Sequence, residues 1–503
     1  MFVNRAGRRF SGLSFLSVLV LAACGGAVSV SSSPPASSAL AASKPAAASS
    51  GGAASGAPSG SASAGAASSA GAAAKPSGAA SGSPASSPAG SAAASGPVKL
   101  GIVNPLTGPQ GTAGIDYKDG FQLYLDSVNS TIGGRKIEPT FVDDQAQADT
   151  GLTKTKQLVE GDKVPALMGF TFTPVTYAAA TYVKSQAHIP MLVTTATTGQ
   201  ALMLDPQFTS PYLMRFTSVA AAHSDITADW AYKQGFRKMA IVGYDTAAGV
   251  ETSDLVASAF ISRGGTVVQE AHPPLGTTDF GPYLAQLDPS ADVVAIWEPA
   301  SDGVHFLQQF GNYTGQKKPV VIDMGGAASG GALTTLGDAG VGVVVETDWA
   351  DSLPNSQNQA FLKAFQAKFP SGRDASPLMV QGWSTGAILE PAFQKVNGNI
   401  ENGQAFLNAL YGTDAQTAMG EIKLDPSTHD VVRDYYITKI AKRSNGRYGY
   451  DVVDTYHNVS QFWDRTPADL KAFPYGKEKG KWVGMTKDQL TQLHGITTTP
   501  AAS

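Results

Sequence analysis

Val98-Lys99-Leu100-Gly101-Ile102-Val103, followed at once by Asn104-Pro105-Leu106-Thr107-Gly108, is the stretch on which the fold turns. The first six residues form a short apolar run closed by turn-formers, and Gly120 to Val128 then sets Phe121, Leu125 and Val128 on one helical face. Strand, loop, helix is the unit, and it recurs. Strands are expected at residues 136–142, 166–169 and 189–194, with helices at 150–160 and 174–186. After Arg215 the alternation restarts, with helices at 224–234, 252–263 and 302–310 among strands at 239–243, 266–270, 293–297 and 319–323. Strands separated by helices at this spacing make parallel sheets covered on both faces, so the two runs predict an α/β protein of two doubly wound lobes.

Residues 341–346, 358–368, 378–396 and 403–411 give a third batch of elements, too few for a domain of their own, and they complete the first lobe. A strand at 435–441 then returns to the second. The first lobe is therefore read as 97–216 with 348–434 and the second as 217–347 with 435–470, leaving 471–503 as a charged, Thr-rich C-terminal extension. Three crossings, near Phe216, Thr347 and Asp434, predict a three-segment hinge. Ligands of open α/β sheets bind beyond the carboxyl ends of the strands, and two lobes facing each other make a cleft from those ends.

Outward from the lobes, the N-terminal region has a different composition. From Gly25 to Gly96 only Val28, Val30, Leu40, Lys44 and Lys75 depart from Ala, Ser, Gly and Pro, too little apolar surface to offset ordering entropy, so 24–96 is expected to be a disordered tether. Before it, Arg5, Arg8 and Arg9 form a positive region, Phe10 to Ala22 a short apolar run, and Leu21-Ala22-Ala23-Cys24 a small-residue stop, which together read as a signal peptide over 1–23. The final four residues resemble a bacterial lipobox, which implies cleavage before Cys24, its lipidation and extracytoplasmic anchoring to a bacterial membrane. A tether of this length spans roughly 45 Å as a flexible coil.

Residues 97–503 carry 31 Lys and Arg against 40 Asp and Glu, a formal charge of −9 with no basic cluster, which argues against nucleic acid as a partner. With Cys24 as the one cysteine, the globular part has no disulfide framework, cysteine zinc site or thiol nucleophile. The seven histidines show no metal-ligand spacing, and Gly325-Gly326-Ala327-Ala328-Ser329-Gly330-Gly331 lacks the dinucleotide fingerprint. No cofactor or metal is expected. Asp143, Asp144 and Glu298 could be imagined as paired catalytic carboxylates but are read as solvated loop acids, and no Gly-x-Ser-x-Gly elbow is present, so no enzyme is expected.

Several strings agree in order: Asn104-Pro105-Leu106-Thr107-Gly108, Gly134-Arg135-Lys136-Ile137-Glu138, Asp143-Asp144, Ile189-Pro190-Met191 and Gly276-Thr277-Thr278-Asp279-Phe280. Together, over residues 97–470, they resemble the branched-chain (leucine, isoleucine, valine) type of substrate-binding protein of ABC transporters, with the type I periplasmic-binding-protein fold. The resemblance implies capture of an amino acid or related small carboxylate by hinge closure and delivery to a membrane permease. A ligand-sensing receptor with the same fold is the alternative, as is a ligand that is an aromatic or aliphatic carboxylate lacking an amine.

Gly169-Phe170-Thr171-Phe172-Thr173-Pro174 ends a buried strand and opens a helix, with Thr173 suited to cap it and Pro174 to its first turn. Free amides and the positive helix end there suit a carboxylate, although an ordinary capped helix reads the same. The resemblance assigns Thr171, Phe172 and Thr173 to the ligand carboxylate, and Thr195, Ala196 and Thr197, in the loop after the next strand, to both ends of the solute. In the second lobe it assigns Asp302, in Trp297-Glu298-Pro299-Ala300-Ser301-Asp302, to a ligand ammonium, although an Asp at a helix start also reads as an N-cap, and Trp297 reads either as an aromatic covering the ligand or as core packing. Where the resembled family often has tyrosines, this chain has Ala113-Gly114 and Ala248-Gly249. Either the pocket is enlarged around Ala248, or Trp297, Trp349 and Trp383 supply other walls.

Overall fold

The computed structural model of the chain describes residues 95–108, 110–195, 199–315, 317–327, 332–473 and 476–496. The expected signal peptide, Cys24, nearly all of the tether, Ala196 and Thr197 lie outside the described residues.

The first sheet holds β1 (Val98–Asn104), β2 (Thr131–Ile132), β3 (Arg135–Asp143), β4 (Leu167–Gly169), β5 (Met191–Val193) and β6 (Leu213–Arg215), in the order β2-β3-β1-β4-β5-β6. All its neighbours are parallel except β2 with β3. The second sheet contains β7 (Lys238–Gly243), β8 (Thr266–Ala271), β9 (Val293–Trp297), β10 (Val320–Asp323) and β11 (Val344–Thr347), parallel to one another in the order β11-β10-β9-β7-β8. The expectation of a purely parallel second sheet is corrected by β12 (Asp414–Thr417), β13 (Gly420–Asp425), β14 (Asp430–Lys442) and β15 (Tyr448–Val459), which add as antiparallel strands. The reason is local. Asn445-Gly446, with Gly446 at φ +82°, closes the β14–β15 hairpin through a bond from Arg443 N to Arg447 O.

In each sheet the order reverses at one place, between β1 and β4 in the first and between β7 and β9 in the second. These switch points open crevices at the carboxyl ends of the strands. The helices that follow start earlier than their apolar periodicity predicts, at Gly111, Ala220, Ala247 and Ala300 rather than at 120, 224, 252 and 302.

Helix Pro377–Lys395 lies tightly against helix Gly111–Ser127. A Cβ at Gly120 would stand 1.8 Å from Met379 O and one at Gly382 2.1 Å from Tyr117 O, so two backbones touch where side chains are missing. The segments that pass between the sheets are tied together. Arg215, at the end of β6, donates from Nε to Asp430 Oδ1 at 2.8 Å, and Val219 N donates to the Tyr435 hydroxyl at 3.0 Å.

Residues 476–496 of the expected C-terminal extension lie against the second lobe: Trp482 is fully buried and donates to Asp254 Oδ1, Gly484 N bonds Val267 O, and helix Lys487–His494 follows.

Candidate functional site

At the end of β1, the buried Asn104 offers Oδ1 to the amide of Thr171 at 3.1 Å and to its hydroxyl at 2.9 Å. Gly169 and Phe170 reach this turn at φ +99° and +72°. The Gly169 conformation leaves no room for a Cβ, which would meet Val103 O at 2.7 Å. Holding Phe170 in the left-handed region stores strain of the kind found at ligand sites. The turn delivers the chain into helix Thr173–Tyr182, where Phe172 is the N-cap and no side chain caps it. The cap therefore falls one residue earlier than expected, so Thr173 is the first helical residue and its hydroxyl is not used for capping. The early amides of a helix have no intrahelical acceptor, and here the helix start, at Phe172, Thr173 and Pro174, lines a cavity.

That cavity has a volume of about 360 Å³, toward the small end of the roughly 300–1,000 Å³ range of ligand sites, and takes its lining from both sheets. From the first come Ala113, Thr171, Phe172, Thr173, Tyr177 and Thr195; from the second come Tyr244, Ala248, Glu251, Trp297, Glu298 and Ser301. Thr195 is buried, with its hydroxyl 3.4 Å from that of Thr171. Among the described residues, five helices of ten residues or more begin at this lining, at Gly111, Thr173, Ala247, Ala300 and Pro377. No Lys, Arg or His lines the cavity among the described residues. Positive potential for an anion is thus supplied by helix ends and amides rather than by cationic side chains.

The walls are aromatic. Tyr177, one turn into its helix, stacks on Phe208 with ring centroids 4.3 Å apart, while Tyr244 follows the end of β7 and Trp297 ends β9. Of the three tryptophans considered, only Trp297 reaches the cavity. Trp349 and Trp383 are buried in the core, where Trp349 Nε1 donates to Asn358. Tyr177 and Tyr244 were missed because a tyrosine inside a helical pattern, or just after a strand, reads as ordinary packing.

Asp302 does not line the cavity. It is buried, accepting from Gly276 N at 2.7 Å through Oδ2 and from the Ser301 hydroxyl at 2.9 Å through Oδ1. The acids that do line it are Glu251 and Glu298. The reading of Glu298 as a solvated loop acid is corrected: it is 1% exposed, because Pro299 turns the chain straight from β9 into the next helix. Asp144 is buried as well. Burial, reinforced by the charges of Asp302 and Asp323, pushes the Glu298 carboxyl up to about 9. Burial raises Glu251 to about 7 against the opposing pull of the Gln200 amide and Arg215.

Carboxyls raised in the folded state favour folding while protonated, and that contribution disappears as pH climbs from the ordinary value of 4.5 through the folded one. The ligand-free protein should therefore lose thermal stability between pH 5 and about 9, and Glu298→Gln, which cannot ionise, should show a shallower decline. Melting curves across that range check this, and parallel declines for the two proteins would exclude Glu298 as a contributor.

Two α/β lobes with the strand ends of both sheets at one shared cavity define a bilobed solute-binding protein. Residues 97–447 match the family model described as periplasmic binding protein, and the chain belongs to that family. An ABC transporter substrate-binding protein from Sphaerobacter thermophilus is similar at 31% identity and a TM-score of 0.67, covering 72% of this chain and 98% of that one. A solute-binding protein of an ABC transporter from Rhodopseudomonas palustris BisB5, solved with 3,4-dihydroxybenzoic acid, is similar at 29% identity and a TM-score of 0.66, covering 72% and 98%. Leu/Ile/Val-binding protein homolog 6 of Brucella abortus (strain 2308) is 26% identical over 373 residues, 71% of this chain and 91% of that protein. The chain is an extracytoplasmic ABC-transporter substrate-binding protein related to the leucine-binding group, and it is a binder of small solutes, not an enzyme.

Proposed function

We propose that this protein captures a small aromatic carboxylate lacking an amine and delivers it to an ABC permease, working from a membrane to which lipidated Cys24 and the 24–96 tether hold it. The observation that carries the ligand class is the cavity itself, with aromatic walls, five helix N-termini and no cationic side chain among the described residues. A carboxylate at the Thr173 helix would take hydrogen bonds from its first-turn amides and from the hydroxyls of Thr173 and Thr195, with Phe172, Tyr177, Tyr244 and Trp297 enclosing the ring. The R. palustris protein solved with a dihydroxybenzoic acid supports the same class. Asp302, satisfied by Gly276 and Ser301, is not needed in this reading as an ammonium partner.

Closure is the mechanism. Contacts from both lobes favour the closed form only by their differential affinity, and bending falls to the crossing segments near Phe216, Thr347 and Asp434. An amino-acid ligand is the second reading, favoured by the similarity to a Leu/Ile/Val-binding homolog.

A thermal-shift screen with benzoate, 3,4-dihydroxybenzoate and leucine separates the two. A ligand at 100 times its dissociation constant stabilises the fold by about 2.7 kcal/mol, so the aromatic acids should raise the melting midpoint clearly. Stabilisation by leucine alone would replace this reading with the amino-acid one.

A further inference from the structure

We propose that Glu298 reads the end of the solute opposite its carboxylate, and that this end carries a hydroxyl, so that the ligand is a hydroxylated rather than a bare aromatic acid. The inference rests on the aromatic-carboxylate reading and specifies its second half. It begins from an imbalance in the cavity. Glu298 lines the cavity, is 1% exposed, and has no hydrogen-bond partner for Oε1 or Oε2 among the described residues. Its acidic neighbours are supplied: Asp302 by Gly276 N and the Ser301 hydroxyl, Asp323 by the amides of Gly326 at 3.1 Å and Ala327 at 3.0 Å, and Glu251 by Gln200 N at 2.8 Å.

Most buried polar atoms are hydrogen-bonded, and a residue at a cavity wall with both carboxyl oxygens unpartnered marks a place where a ligand can supply what the protein does not. Burial without a partner, with Asp302 and Asp323 close by, favours the protonated form of Glu298. A neutral carboxyl presents one O–H donor and one carbonyl acceptor. A hydroxyl complements both, accepting from the one and donating to the other. A bare ring edge offers neither, and a second carboxylate would bring a negative charge against three acids. The position fits a bipolar ligand, because Glu298 follows β9 of the second sheet while the Thr173 helix end belongs to the first.

Titration calorimetry at pH 7 tests this with benzoate, 4-hydroxybenzoate and 4-(aminomethyl)benzoate on the chain and on Glu298→Gln and Glu298→Leu. The chain should bind 4-hydroxybenzoate at least about tenfold more tightly than benzoate, the usual loss when buried polar groups are left unpaired. Glu298→Gln, whose amide also donates and accepts, should keep that preference, whereas Glu298→Leu should bind the two acids equally. Equal binding of both acids by the unmodified chain, or a preference surviving in Glu298→Leu, would overturn the proposal and leave the aromatic-acid reading standing. Tightest binding of 4-(aminomethyl)benzoate would overturn it in favour of an ionised Glu298 holding a cation. Binding of none of the three would remove both readings.

Discussion

Replacing Gly120 by alanine should destabilise the protein by about 3 kcal/mol, the upper part of the range for overpacked cores. The added methyl would stand 1.8 Å from Met379 O, and the obstructing atom is backbone on a neighbouring helix, so no side chain can rotate away. Relief requires helices Gly111–Ser127 and Pro377–Lys395 to separate, which would also loosen the contacts of Tyr117, whose hydroxyl bonds Thr194 at 2.7 Å and Thr385 at 3.0 Å. The control is Gly311→Ala at the end of helix Ala300–Gly311, where a Cβ meets nothing within 4 Å. There the same substitution should be neutral or stabilising by about 0.4–1 kcal/mol, because it reduces unfolded-chain freedom without strain. Urea midpoints at unchanged slope measure both, and an unaffected Gly120→Ala would show that the two helices are not in close contact.

Trp297→Ala should weaken binding of an aromatic acid by about 2–3 kcal/mol, roughly 30- to 150-fold in dissociation constant, while leaving the fold intact. Trp297 is half-buried at the end of β9, where it lines the cavity and also packs against the core, so its loss removes wall area from the ligand together with some packing from the protein. Titration calorimetry with 4-hydroxybenzoate reads the effect directly. A change of less than threefold would mean that the ring does not lie against this tryptophan.

The alternation of strand and helix was legible in the sequence because it rests on apolar runs that must be buried, from Val98–Asn104 to Val344–Thr347. What escaped was the first turn or two of the helices at the cavity. Gly111-Thr112-Ala113-Gly114 and Ala247-Ala248-Gly249 carry almost no core-directed side chains, since one side of each faces the site, and periodicity is blind where there is no core to face. The β14–β15 hairpin was readable from Asn445-Gly446 but lay beyond the repeating unit that organised the reading. At the site, strand-end logic pointed to loops that meet at the cavity, whose lining includes Thr171, Phe172, Thr173, Thr195, Ala248 and Trp297. Within Trp297-Glu298-Pro299-Ala300-Ser301-Asp302, however, the sequence offers two acids four residues apart. Which one is satisfied by a distant amide, Gly276 N, is settled by tertiary contact alone.

The convergence of helix ends also bears on how the cleft can change over evolutionary time. A side-chain anchor can be deleted by one codon, but a helix N-terminus is made of main chain and survives nearly any substitution that leaves the helix in place. Exchanges at Ala113, Tyr177, Tyr244 or Leu378 would reshape the walls while the amides at Thr173 stay where the turn from β4 puts them. On the proposed carboxylate reading, such a cleft is free to drift among acids of different shape and slow to abandon acids altogether.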